Sequence, residues 1–374
     1  MDDGGEFTGA CLPLHFQLRM IWERLLSQRV NDVSANFFRL GGTGQLAERM
    51  LEEVAQEIGR RVSGEVFREN PTIAALAEAI LARAGLPDVV EIQSGNGEAP
   101  FFYLHGDILG GGFYTRPLAK RIGAARPFYS VALPAITPET LSSIETVAAE
   151  HCAAIRRHRP HGPYVVGGFS LAALFAFEVA RQLTAAGETV ATVVLIDPEL
   201  PTAVERLCLR TIESRRGRLK SVGEKVDSFN AIYSKLARLQ FVWQSPLREK
   251  ASFVLRHGAR LIGRPRRQRP RTEPAAMTRD GWRIDLFQWL ATAYSLKSYD
   301  GPVALLLTEP QMKARPALVR MWRRVVPDLR VHRLPGSHMT TITTYRDALA
   351  AKIREELQLV HSVLMALLGG LVMV

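Results

Sequence analysis

VVGGFSLAALFAFEVA, residues Val165 to Ala180, reads as an apolar strand, a knot of small residues around one serine, and an apolar-periodic helix. A strand that turns into a helix within a few residues projects the residue at the turn out of the sheet edge, and here that residue is Ser170. Gly168 before it and Ala172 and Ala173 after it leave room for a tight backbone. The pattern Gly-Phe-Ser-Leu-Ala is one methyl away from the Gly-x-Ser-x-Gly nucleophile elbow. An ordinary strand-to-helix junction with a chance serine is the alternative, so the partners of a nucleophile have to be sought elsewhere in the chain.

Outward from this stretch, short apolar runs alternate with helical ones. Phe101 to Leu104, Phe128 to Leu133 and Val190 to Ile196 read as strands, and Thr115 to Ile122, Leu141 to Arg157 and Leu171 to Ala186 as helices. Such alternation predicts an α/β fold with a mostly parallel sheet covered on both faces. It stops after Asp197 and resumes with strand Val303 to Leu307, helix Pro316 to Val326, strand Leu329 to Leu334 and helix Tyr345 to Leu357. The interruption, about 200–298, sits at the C-terminal end of the strands, where a lid lies over a pocket.

A nucleophilic serine needs a base to take its proton and an acid to hold that base, in the chain order serine, acid, histidine for this layout. Of nine histidines, only His332, His338 and His361 lie in the resumed sheet region or beyond. His332 alternates within a strand, and His361 lies in an apolar tail. His338, in LPGSHMT, falls in a Gly-containing loop just after a strand, which places it at the same sheet edge as the elbow and makes it the expected base. Two carboxylates qualify as the acid. Asp197 ends the strand Val-Leu-Ile-Asp, with Pro198 turning the chain out of the sheet, and Glu309 ends VALLLTE. Position alone leaves both open. An oxyanion hole needs the backbone N–H of Leu171 and a second donor from the loop after the first strand. That loop is His105-Gly-Asp-Ile-Leu-Gly-Gly-Gly112, whose glycines allow close approach to a carbonyl. It lacks the GxGxxG spacing and immediate helix of a dinucleotide site, and His105 is expected to hold it rather than act as base.

Composition narrows the remaining classes. The 374 residues are 47% hydrophobic, enough for two or three domains with a sizeable core. Cys11, Cys152 and Cys208 are odd in number and widely spaced, which suggests neither disulfides nor a zinc site. The acidic start MDDGGEFTGA lacks the features of a signal peptide, so a cytoplasmic location is expected. The net charge of +11 is regional: Pro201 to Asp300 holds 21 Lys/Arg against 9 Asp/Glu, leaving the rest near neutral. Its densest part, RPRRQRPR at Arg264 to Arg271, has two prolines and no aromatics, a solvated loop rather than a nucleic-acid surface.

Residues 14–84 form a separate helical pattern. Leu18, Ile21, Trp22, Leu25 and Leu26 share one face of the helix His15 to Ser27; NFFRLGG at Asn36 to Gly42 precedes a helix Gln45 to Ile58; and Asn70-Pro71-Thr72 opens a helix carrying Ile73, Leu76 and Ile80. IWERLL, NFFRLGG and VFRENPTIAALAEAI together resemble the acyl or peptidyl carrier domains of nonribosomal peptide and polyketide synthetases. In such carriers FFxLGG is followed by one variable residue and then the serine that bears phosphopantetheine. Here those residues are Thr43 and Gly44. Glycine has no hydroxyl, and Thr43 stands one residue early, so the resemblance implies a degenerate carrier with no arm of its own.

Past a linker at 85–98, residues Phe101 to Tyr114, the elbow, Val-Leu-Ile-Asp-Pro and Gly-Ser-His together resemble the type I thioesterase domain of α/β-hydrolase fold that ends many synthetase chains, over 99–358. In that family the acid follows the strand after the nucleophile helix, which favours Asp197 over Glu309, and the second oxyanion donor falls at Asp107, or at Ile108 if the loop shifts. The sequence departs from the pattern at Ala172, where the family has Gly, and at Gly44. The resemblance implies a serine thioesterase acting on a phosphopantetheine thioester brought by another acyl- or peptidyl-carrier domain, with no bound cofactor and no metal. Transfer of the chain to an amine or alcohol, and a non-catalytic docking role, are the alternatives. The lid aromatics Phe229, Tyr233, Phe241, Trp243, Phe287, Trp289 and Tyr294 are candidates for lining an acyl pocket. The apolar tail Leu359 to Val374 is too short to span a bilayer, and packing on the protein is expected over membrane contact.

Overall fold

The computed structural model describes residues 7–8, 13–81, 88–95, 98–105, 112–132, 143–201, 206–207 and 290–371. They fall into two compact units, one of residues 1–134, 144–199 and 296–374, the other of 135–143 and 200–295.

In the first unit the chain begins as a four-helix bundle: α1 Pro13–Leu26, α2 Gly44–Ile58, α3 Gly64–Glu69 and α4 Ile73–Leu81. Leu18, Ile21 and Trp22 of α1 close on Phe37, Met50, Val54, Phe67, Ile73, Leu76 and Ile80. Trp22 meets Phe37 edge-on at 4.8 Å between ring centroids. Helix α2 is capped at both ends: the Thr43 hydroxyl accepts the Leu46 N–H at 3.2 Å, and the backbone of Gly59, at φ 80°, supplies the left-handed C-cap.

The bundle is followed by β1 Val89–Gln93, β2 Phe101–Leu104, a 3₁₀ turn Phe113–Thr115, α5 Arg116–Ile122, β3 Phe128–Val131, α6 Ile144–His158, β4 Tyr164–Phe169, α7 Ala172–Ala185 and β5 Val190–Ile196. After the second unit come β6 Val303–Thr308, α8 Glu309–Ala314, α9 Leu318–Arg323, β7 Leu329–Leu334, α10 His338–Ile342 and α11 Arg346–Leu371. The seven strands pair in the order β1-β3-β2-β4-β5-β6-β7. Every pairing is parallel except β1 with β3. β4 lies at the centre and is buried along its whole length, which is why it reads as a continuous apolar run.

Helices α5 and α11 cover one face, where Leu118, Ile122, Leu349 and Ile353 pack on Phe101, Tyr103, Val165, Val194 and Leu306. Helices α6 and α7 lie together on the other, with His158 against the rings of Phe102 and Tyr129. This is the α/β architecture with both faces covered that the alternation predicts, with a helical bundle in front of it.

Three differences from the sequence reading have local causes. The linker 85–98 contains β1, a five-residue edge strand in which only Val90 and Ile92 turn inward. Glu309 opens α8 rather than ending a strand. The last helix continues through Leu371, so the apolar tail extends α11; among the described residues no helix is long and apolar enough to cross a membrane. In the second unit Leu290, Ala291 and Tyr294 are buried. The other six aromatics expected to line the pocket, and Arg264 to Arg271, lie outside the described residues.

Candidate active site

Ser170 occupies the junction between β4 and α7 at φ 57°, a left-handed conformation costly for a residue with a β-carbon. The surroundings hold it there. Its N–H bonds to Ile196 O at 2.9 Å, and its carbonyl accepts from Ala173 N at 3.2 Å as α7 begins. Gly168 is required by the same crowding, because a β-carbon there would lie 2.5 Å from the carbonyl oxygen of Ala172. Ala172 itself is buried.

The Ser170 hydroxyl lies 3.0 Å from Nε2 of His338. The other ring nitrogen, Nδ1, lies 2.7 Å from Oδ2 of Asp197. A carboxylate only accepts, so Nδ1 is the donor and Nε2 is left to accept the serine proton. His338 is the first residue of α10, whose start is fixed by a capping box between Ser337 and Thr340. Its ring stacks on Phe169 at 4.5 Å and its side chain is 32% exposed.

Asp197 is 1% exposed and also sits at positive φ, 46°. Its burial is compensated by donors from β6: Thr308 N–H reaches Oδ1 at 2.9 Å, and the Thr308 hydroxyl lies 3.1 Å from both oxygens. Three protein groups thus hold a carboxylate that would otherwise be costly to bury. Glu309, the rival, is 63% exposed and paired to Lys313 at 2.8 Å. That pairing holds its carboxyl below the usual carboxylate range.

Leu171 is the N-cap of α7, its carbonyl accepting the Leu174 N–H at 3.0 Å and its own N–H lying at the positive end of the helix dipole. Asp107 lies outside the described residues. The ends of its loop are described: His105 O accepts the Tyr114 hydroxyl at 2.5 Å, and Gly112 O accepts the Thr115 hydroxyl at 2.6 Å. Gly112 sits at φ 67° against the His105 ring and Ser130, where no side chain fits.

Ser170, His338 and Asp197 are thus brought together from three strand ends, and Glu309 is not. Sequence reasoning missed Thr308, Phe169 and Glu199, whose carboxylate lies 3.8 Å from His338 Nε2. Thr308 and Glu199 depend on strand register and turn direction, for which one sequence carries no signal; Phe169 is in the quoted motif, but its stacking partner is not. His332 pairs with the buried Glu356 at 2.5 Å, away from the site. Gly44 is exposed, with no atom within 4 Å of where a β-carbon would lie. Among the described residues, no group of three or more His, Cys, Asp or Glu is placed to hold a metal ion.

Ser170, His338 and Asp197 thus meet at the strand ends of an α/β fold, and comparison with known proteins gives the family. The thioesterase domain model matches residues 103–357, so the chain belongs to the thioesterase family, serine hydrolases acting on thioester bonds. The model described as a phosphopantetheine attachment site matches residues 17–80, a carrier domain in front of the thioesterase. Among similar proteins, an indigoidine synthase of Dickeya dadantii is 35% identical over 195 residues, 50% of this chain and 13% of that synthase. Enterobactin synthase component F of Escherichia coli is 30% identical over 184 residues, 46% of this chain and 14% of that protein. The chain therefore spans a small part of the length of these relatives. Among solved structures, a four-domain nonribosomal peptide synthetase bound to AMP and glycine is similar over 95% of this chain and 27% of its own, with TM-score 0.48 and 20% identity. The NocB thioesterase domain of the nocardicin cluster is similar over 72% of this chain and 98% of its own, with TM-score 0.43 and 20% identity.

Proposed function

We propose that Ser170, His338 and Asp197 are the nucleophile, base and acid of a thioesterase that releases an acyl or peptidyl chain from a phosphopantetheine thioester. The observation that carries this reading is the hydrogen-bonded chain from Ser170 Oγ through the imidazole to a buried, triply supported carboxylate. Ser170 Oγ attacks the thioester carbonyl while His338 Nε2 takes its proton. The resulting oxyanion meets the Leu171 N–H and, on this reading, the N–H of Asp107. Collapse of the intermediate expels the phosphopantetheine thiol, which receives the proton from His338. Water, deprotonated by the same imidazole, then attacks the acyl-serine, and the acid is released with Ser170 regenerated.

The substrate is supplied by a carrier other than residues 14–84. Gly44 has no hydroxyl to esterify, and the Thr43 hydroxyl is engaged as the N-cap of α2. On this reading the phosphopantetheine arm enters as part of the substrate. Acyl thioesters loaded on a separate carrier test the reading: release of the free acid, lost in Ser170→Ala, supports it. A folded chain that leaves such thioesters intact overturns it. A product joined to an added amine or alcohol would instead identify an acyltransferase on the same acyl-enzyme.

A further inference from the structure

If the carrier-like bundle bears no arm, its persistence needs another physical reason, and the contacts of the 3₁₀ turn Phe113–Thr115 supply one. Tyr114 belongs to two places at once. Its ring is buried in the bundle's core with Leu18, Trp22 and Ile80. Its hydroxyl donates to His105 O at 2.5 Å, at the point where β2 gives way to the loop expected to carry the second oxyanion donor. Its own carbonyl accepts from Nε2 of Gln17, a buried residue of α1, at 2.7 Å.

The neighbouring contacts act in the same direction. Phe113 packs against the cores of both the bundle and the sheet. Arg60, beyond the end of α2, lies over the Phe113 ring at 5.0 Å. Lys120 of α5 donates to Gln56 O at the C-terminal end of α2, 3.1 Å away. On the far side of the loop, Thr115 ties Gly112 O through both its hydroxyl and its N–H, at 2.6 and 2.9 Å. Helix α1 also packs against α10, which opens with His338.

We propose that the carrier-like bundle is a fixed brace of the active site: through Gln17 and Tyr114 it holds the His105 end of the oxyanion loop in register with Ser170. Tyr114 is a positioning residue, since it touches the loop and not the reacting atoms. The role rests on the thioester chemistry proposed above. It gives the bundle a function that needs neither phosphopantetheine nor movement, in contrast to a shuttling carrier. Loss of a whole oxyanion donor costs roughly 10²–10³ in turnover, and a displaced donor costs less.

The test uses the full chain and three variants. Tyr114→Phe removes only the hydroxyl. Gln17→Leu removes the link from the bundle side. Arg24→Ala breaks an exposed ion pair with Glu53 inside the bundle and serves as control. Active sites are counted by fluorophosphonate titration, so that unfolded chains drop out, and kcat and KM for a short acyl thioester of N-acetylcysteamine are expressed per titrated site. Hydrogen exchange is followed in peptides covering 105–112. The brace predicts about a tenfold loss of kcat in Tyr114→Phe with KM and the midpoint of the pH profile unchanged. Exchange over 105–112 is faster in both Tyr114→Phe and Gln17→Leu, and Arg24→Ala matches the parent. Unchanged kcat per site and unchanged exchange in Tyr114→Phe and Gln17→Leu overturn the brace. Failure of the parent chain to take the probe refutes the catalytic reading instead, and the exchange comparison then still decides whether the bundle holds the loop.

Discussion

Asp197→Asn keeps the shape of a buried side chain while changing what it can accept, and the consequence follows from its three donors. The carboxylate receives Thr308 N–H at 2.9 Å, the Thr308 hydroxyl at 3.1 Å and His338 Nδ1 at 2.7 Å. An amide has one acceptor oxygen and one donor group. With its oxygen toward Thr308, the NH₂ faces His338, and the imidazole must turn Nδ1 into an acceptor. The ring proton then sits on Nε2, pointing at Ser170, where it cannot receive the serine proton. With the amide reversed, NH₂ opposes the buried Thr308 N–H, leaving a donor unpaired at a cost of about 1–3 kcal/mol. The first arrangement therefore dominates, and the imidazole is held in the wrong tautomer. For that defect kcat falls about 10⁴-fold, equivalent to about 5 kcal/mol of barrier. The assay is kcat per titrated serine on an acyl thioester, alongside Glu309→Gln. Glu309 is solvent-exposed and bonded to Lys313, so its variant should stay within about twofold of the parent. Asp197→Asn within tenfold of the parent, or Glu309→Gln equally impaired, would refute the assignment of the acid.

Two further outcomes are expected. Gly44→Ser introduces a hydroxyl into open space at the first helical position behind an intact cap, so it should not destabilise the bundle and should gain about half a kcal/mol of helix propensity. Intact mass after treatment with a phosphopantetheinyl transferase should show one added arm on Gly44→Ser and none on the parent. Burial lowers the imidazole of His151 to about 4. Between its unfolded value of about 6.5 and that folded value, the unfolded chain binds the extra proton, so this contribution to stability is complete above pH 6.5 and is lost as pH falls toward 4. The loss amounts to about 3 kcal/mol, and urea midpoints measured from pH 7.5 to 4.5 should fall less steeply in His151→Gln.

The fold and the residues that meet at the candidate site were legible where the signal is local. Ser170 announces itself because a left-handed serine between strand and helix needs Gly168 and small neighbours, and those needs are written within a few positions. Asp197 and His338 follow from strand ends, since parallel strands deliver their C-termini to one edge. The two acids could not be separated by position. Thr308 meets Asp197 only because β5 and β6 pair Ile196 with Leu306, and Glu309 leaves the site because α8 begins there. Strand β1 escaped notice because Glu91 faces outward and turn-forming residues flank it, so a half-covered edge strand looked like a linker. The attachment of Tyr114 to the bundle's core and, through its hydroxyl, to His105 at the end of β2 is a tertiary fact with no periodic or motif signature.

The central claim is that Ser170 is an activated nucleophile, and the direct measurement is covalent labelling of the full chain with a fluorophosphonate, read by intact mass and peptide mapping. The account predicts one adduct per chain, located on Ser170 and absent from Ser170→Ala. A folded chain that takes no label, or one labelled equally well as Ser170→Ala, would contradict it.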